Sequence, residues 1–283
     1  MNLRAGIQVL IVAGLCLGSV CCRPQAGEKE RASFHIIATD AAFQAPDKVP
    51  AGLRHILFEN HGAEIHESML VKLAPGVSAE DYVAQVKKGQ LFPTGGSDYS
   101  GPGLTSPGES SELWTRLDPG NYILICWNDS GNDWHATTRP VHPFVVSETV
   151  VNDEVPPEDV VVKLIDYRYE LSKDLQKGVQ VLRIETPGPS MHEMDIFRLH
   201  PGKTVADIHQ WRKNSGPGPA PFDSLGGALD SHDIRRVVWL RQNFSPGRYL
   251  LHCEMPLTAN NQTTNQESTH EDLGMMREIE VKE

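Results

Sequence analysis

From Phe34 onward the chain is written in short apolar segments, several with apolar and polar residues alternating, broken by Gly and Pro. That rhythm predicts strands rather than helices. Strands are expected over 34–39, 52–59, 68–73, 113–117 and 143–146, and again over 160–164, 178–185, 194–199, 237–244 and 277–281. Two further strands follow Pro-Gly turns, at Pro119-Gly120 and Pro246-Gly247, and run into Cys126 and Cys253. One short helix is predicted in each half, after Pro75-Gly76 and after Pro201-Gly202. Ser78 and Thr204 are its N-caps, with Asp81 and Asp207 three residues on, a capping-box start with Asp in place of Glu or Gln. The stretches 93–111 and 215–231, rich in Gly, Pro and Ser, read as loops.

The two lists of strands are one list read twice. Residues 126 positions apart match along a long run: Asp40 with Asp166, Phe43 with Tyr169, Gly52 with Gly178, Gly62 with Gly188 and His66-Glu67 with His192-Glu193. The run continues through Leu73, Pro75, Gly76, Asp81 and Lys87, matched by Leu199, Pro201, Gly202, Asp207 and Lys213. After an insertion, Gly95-Gly96 pairs with Gly226-Gly227, and Pro119-Gly120-x-Tyr122-x3-Cys126 pairs with Pro246-Gly247-x-Tyr249-x3-Cys253. Internal repetition of this kind marks a duplicated unit. The expected fold is all-β: two tandem Greek-key sandwiches, each with a short inserted helix. The first spans 34–150 and the second 160–283, joined by a linker over 151–159 that contains Pro156-Pro157.

Composition narrows the class. A length of 283 residues suits two ordinary domains, and 39% hydrophobic residues suffices for packed cores. A net charge of −11 argues against nucleic-acid binding. The first 22 residues read as a signal peptide: Arg4, an apolar run from Ile7 to Leu17, then Gly18-Ser19-Val20. Cys21 or Cys22 offers a position for a lipid anchor, and 23–33 is a polar tether. The expected location is therefore periplasmic or secreted, with membrane contact only through that anchor. Of five cysteines only Cys126 and Cys253 fall in the body of the chain. Each ends the same strand of a different repeat, which favours two lone thiols over a disulfide.

Candidate chemistry gathers at those strand ends. Cys253 is followed by His270 and Met275: a thiol, an imidazole and a thioether, a soft set that suits copper. The pattern resembles the cupredoxin family over both repeats. The resemblance is carried by His66 and His192 after the second strand pair, the two Tyr-x3-Cys strands and His270-x4-Met275. It implies a mononuclear blue-copper centre with His192, Cys253, His270 and Met275 as ligands in the second repeat. In the first repeat it implies His66, Cys126 and His135, with Pro140 where the methionine would stand, so one copper per chain is expected, and the first repeat reads either as a second, three-coordinate site or as a degenerate one. His142 stands as a substitute fourth ligand there, and Met276 competes with Met275. Sixteen residues separate Cys253 from His270, longer than the family norm.

Other residues carry weaker readings. Glu67 and Glu193 read either as partners orienting the histidines or as solvated strand ends. His252 faces away from Cys253 and matches Ile125, which favours a packing or surface role. His55, His61, His142, His200, His209 and His232 are expected on the surface, and Trp114, Trp127, Trp211 and Trp239 in the core or at its rim. The implied activity is one-electron transfer with transient redox-protein partners. The alternatives are a copper-dependent oxidoreductase resembling nitrite reductase, against which the absence of any His-x-His pair counts, and a metal-free scaffold.

Overall fold

The computed structural model describes residues 33–129, 133–213, 218–232, 236–257 and 268–283. The signal, the lipid-anchor cysteines and most of the tether lie outside the described residues. The first repeat contributes β1 (Phe34–Ala38), β2 (Phe43–Gln44), β3 (Lys48–Asn60), β4 (Met69–Leu73), α1 (Ala79–Val86), β5 (Gly96–Asp98), β6 (Ser110–Leu117), β7 (Gly120–Ile125), α2 (His135–Thr138) and β8 (His142–Val150). The second contributes β9 (Val160–Ile165), β10 (Arg168–Leu171), β11 (Gly178–Glu185), β12 (Met194–Leu199), α3 (Val205–Lys213), β13 (Phe222–Ala228), β14 (Val237–Phe244), β15 (Gly247–His252) and β16 (Met276–Val281). A 3-10 turn covers Glu271–Leu273. The fold is an all-β sandwich, and α1 opens on the expected capping box between Ser78 and Asp81.

Each repeat splits its strands between two layers. In one layer β3 pairs with β6, and β11 with β14. In the other the cysteine strand lies between the histidine strand and the closing strand: β4-β7-β8 and β12-β15-β16. The first layer is continuous across the repeats, because β6 and β14 pair antiparallel with Trp114 opposite Trp239. Alternating inward residues of both repeats, among them Phe34, Phe58, Leu113, Leu182, Leu240 and Tyr249, form one apolar core.

The second layer is joined by a stretch that reads as loop in the sequence. Along 100–106, Pro102 and Ser100 accept the N–H groups of Ser68 and Leu70, and Thr105 exchanges two hydrogen bonds with His66. On the other side Gly103 donates to Gly227, Ser106 to Ser224, and Leu104 accepts from Gly226. Gly, Pro and Ser conceal this because the strand is held by backbone bonds on both sides and has few side chains to alternate. The same holds for β13, inside the other expected loop.

Acids line this junction. Glu67, Asp195 and Asp230 are all buried, and Asp230 Oδ2 has no hydrogen-bond partner. Burial, reinforced by the charge of Asp98, pushes the Asp230 carboxyl up to about 8. An unfolded Asp titrates near ~3.9, so the folded state binds the extra proton between those values. The stability this contributes is complete below about pH 4 and is lost as pH rises through about 8. Asp230→Asn, which cannot ionise, should flatten that loss. Thermal melts from pH 5 to 9 are expected to show the variant gaining a few degrees on the wild type at the alkaline end; parallel curves would refute the assignment.

Candidate metal centres

Just before β4 and β12 stand His66 and His192, whose orientation is fixed from outside. His66 Nε2 lies 3.0 Å from Asp40 Oδ1, and His192 Nε2 lies 2.9 Å from Asp166 Oδ1. Asp40 is held in turn by the N–H groups of Ala63 and Glu64. A Cβ at Gly62 would fall 2.3 Å from Asp40 Oδ1, so only glycine lets the carboxylate in. The repeat matches Asp40, Gly62 and His66 to Asp166, Gly188 and His192 are thus one device. The aspartates escaped the functional reading, although their place in the repeat signalled them.

With Nε2–H given to a carboxylate, Nδ1 carries the lone pair and faces inward. In the first centre Cys126 Sγ lies 3.8 Å from His66 Nδ1 and 3.5 Å from His135 Nδ1. His135 opens α2 and turns Nε2 to Glu64, 3.2 Å away. In the second centre Cys253 Sγ lies 3.5 Å from His270 Nδ1, which lies 3.0 Å from His192 Nδ1. All six residues are buried. Met275 is fully buried in the apolar cluster that holds Cys253, whereas Met276 packs against a different cluster with Phe197 and Leu250. In the first centre Pro140 lines a cleft with His66 and Cys126, and His142 turns its Nε2 toward Asp47 instead.

The long connection after Cys253 closes at its base. His270 N–H donates to Met255 O at 2.8 Å and Leu257 N–H to Ser268 O at 2.9 Å, which pairs the two described ends of the connection. Gly274, at φ 93°, then turns the chain so that Met275 N–H returns to His270 O, and Met275 O accepts from Cys253 N–H. Cysteine, histidine and methionine are tied by backbone bonds irrespective of the loop's length.

Electrostatics fit these atoms to a soft cation. Each triad sets imidazole lone pairs against one thiol, more acceptors than donors. Two ligands at about 2.0 and 2.3 Å from one ion, subtending about 120°, lie ~3.7 Å apart; the Sγ to Nδ1 separations span 3.5–3.8 Å. Burial, then the neighbouring Glu67 or Glu193 charge, drives both thiols well above their ordinary range. A bound cation reverses this by stabilising the thiolate. Burial also lowers His135 and His192, and burial with the His192 charge brings His270 down to about 4, so it is neutral at pH 7 and its ring nitrogen is free to bind.

Glu67 is buried and Glu193 is half-buried, and neither is a freely solvated strand end. Glu67 accepts the N–H of Trp127 at 2.8 Å, and Glu193 that of Glu254 at 2.7 Å, so each fixes the peptide just past a cysteine. Burial and the charge of Glu193 raise Glu67 to about 8. The surface expectation for His55 is corrected, and of the two roles left for His252 the structure keeps packing. His55 is buried, stacked on Trp114 at 4.1 Å and bonded to Glu112, because β3 is an interior strand of the shared layer. His252 is fully buried, with Nε2 on Glu271 and Arg212.

The sequence matches no family model and no curated protein. Among solved structures it is similar to a dithionite-reduced auracyanin from the photosynthetic bacterium Roseiflexus castenholzii, at 21% identity over 41% of this chain and 95% of that one, with a TM-score of 0.29. A multicopper oxidase follows at 15% identity over 87% of each chain, TM-score 0.25. A copper-containing nitrite reductase from Thermus scotoductus matches at 12% over 78% of this chain and 57% of that one, TM-score 0.24. Scores this low leave the fold to rest on the strand pairing, which lays the strands of each repeat in two layers.

Both thiols are free and sealed: Cys126 is 4% exposed and Cys253 0%. A thiol reagent should therefore modify neither in the native metal-free protein and both in denaturant. A fast-reacting native thiol, or a body thiol missing after denaturation without reductant, would contradict the structure.

Proposed function

We propose that this chain is an extracytoplasmic copper protein that carries single electrons. Its principal centre is His192, Cys253, His270 and Met275, and a second is His66, Cys126 and His135. The observation that carries the reading is the pair of buried Cys-His-His triads, each with one histidine whose Nδ1 is turned inward by an aspartate on its Nε2. Copper held there would supply a one-electron couple, tuned by the axial group and by the shielding of the sulfur.

The chain's own residues do the rest. Asp166 and Asp40 fix tautomer and ring angle, which limits ligand movement between oxidation states. The N–H of Glu67 points at Cys126 Sγ from 3.5 Å and moderates charge on the sulfur. Burial of each ligand set favours electron exchange through the protein edge over direct binding of a substrate. Met275 and Pro140 give the two centres different fourth positions, and hence different potentials. Partners are redox proteins that meet the chain transiently. The extracytoplasmic location rests on the apolar N-terminal run; among the described residues no helix is long and apolar enough to cross a membrane.

Titration of the demetallated protein with copper(II), followed by absorption and metal analysis, tests the proposal. An intense visible thiolate-to-copper band is expected, with up to two coppers per chain. Cys253→Ser should remove the principal band and Cys126→Ser should leave it. The reading fails if no band forms, or if it survives replacement of both cysteines. More than two tightly bound coppers would replace it with the enzyme alternative.

A further inference from the structure

The residue after the second histidine of each proposed site differs in kind between the repeats. Ala136 follows His135, and Glu271 follows His270. Glu271 is gripped by groups from two other elements. His252 of β15 donates from Nε2 to its carboxylate, Arg212 of α3 donates from 3.0 Å, and His209 Nδ1 lies 3.3 Å away. Arg212 also reaches Glu254 Oε1 at 3.1 Å and lies over the Phe197 ring, against which His252 packs. The helix itself is seated by buried Ile208 and by Trp211 on Phe222.

The first repeat builds the same joint from different material. His209 and Arg212 correspond to Val83 and Val86 at the 126-residue offset, and His252 corresponds to Ile125. Val86, Ile125 and Ala136 pack together in one apolar cluster. In both repeats, then, a helix, the cysteine strand and the residue after the histidine ligand meet at one point. One joint is closed by apolar contact and the other by charge.

We propose that Glu271, held by Arg212, His252 and His209, is the positioning residue of the second centre, setting His270 and Cys253 through the residues beside them. This rests on copper binding at that centre. The contact lies one residue from each ligand: His252 precedes Cys253 and Glu271 follows His270. Closing it fixes both ligand backbones at once, at the mouth of the longest connection in the second repeat. An ionic joint of this kind is replaceable by well-packed apolar groups, whereas removing one partner leaves the other charges buried and uncompensated.

The test uses the Cys126→Ser protein, in which the copper signal comes from the second centre alone. A Cys126→Ser protein that takes up no copper, with Glu271 intact, counts against the copper reading and not against the joint. Given uptake, Glu271→Ala should weaken copper(II) binding by about tenfold or more, the usual effect of losing an outer partner, and shift the charge-transfer band and the electron-spin-resonance hyperfine splitting. Combining Glu271→Ala with His209→Val, Arg212→Val and His252→Ile, which copies the first repeat, should restore both. Unchanged affinity and spectra in Glu271→Ala overturn the proposal, as does a folded combined variant with the defect of the single one. If Glu271→Ala does not fold, Glu271→Gln, of equal size, is read against the same two outcomes.

Discussion

The hydrogen bond from a histidine Nε2 to an aspartate is the constraint on which both centres depend. Without Asp40 or Asp166 the imidazole could put its proton on either nitrogen and rotate about its side-chain bonds. With it, the proton is committed outward and the lone pair inward; for His66 that lone pair lies 3.8 Å from the Cys126 sulfur. That commitment is reached at the rim: Asp40 and Asp166 are partly exposed, whereas the nitrogens they orient are buried. A carboxylate kept near water retains its charge, though burial opposes it; hydrogen bonds from backbone N–H groups and from His66 bring Asp40 below its usual range.

Inside that rim the balance of donors and acceptors is unfavourable for a protein alone. Lone pairs face one another across a thiol that has a single proton to give, and both thiols are pushed toward the neutral form by burial and by nearby carboxylates. A polar group left unsatisfied in the interior costs about 1–3 kcal/mol. The arrangement occurs twice, at matched positions, and a soft cation in each triad, as proposed, would relieve it. The same physics separates the thiols: each sits among its own imidazoles, so the two lone cysteines of the body remain unpaired.

Much of this was legible in the sequence because it repeats. Alternation gave the strands, and the offset of matched residues brought His66 and His192 beside their cysteines before any coordinates. What alternation could not reveal was backbone-held structure. The 100–106 stretch and β13 join the repeats through N–H and C=O groups, which every residue carries, so composition read them as loop. Position within a layer was also hidden. His55 looks like a polar strand residue, yet β3 is covered on that face by Trp114 and the polar atoms are met by Glu112. His252, matched to Ile125, reads as a packing or surface residue, and the structure buries it against Phe197 with charged partners at its ring: a position can stay buried while the chemistry of its neighbours changes together with it.

That joint replacement bears on how two copies of one scaffold diverge. An isolated change from Ile125-like to histidine would bury a polar ring against apolar neighbours and be lost. The helix, the strand and the turn of the second repeat carry charged groups at all the facing positions, so each polar group finds a partner except His252 Nδ1. Apolar contact tolerates small sliding of one element on another, whereas hydrogen-bonded ions hold direction as well as distance. The second repeat is also the one with the methionine and the sixteen-residue connection. A longer connection constrains its ends less, so the directional joint stands where the covalent tether is weakest. The first repeat, with eight residues between Cys126 and His135, holds its histidine by chain length and needs only apolar packing there.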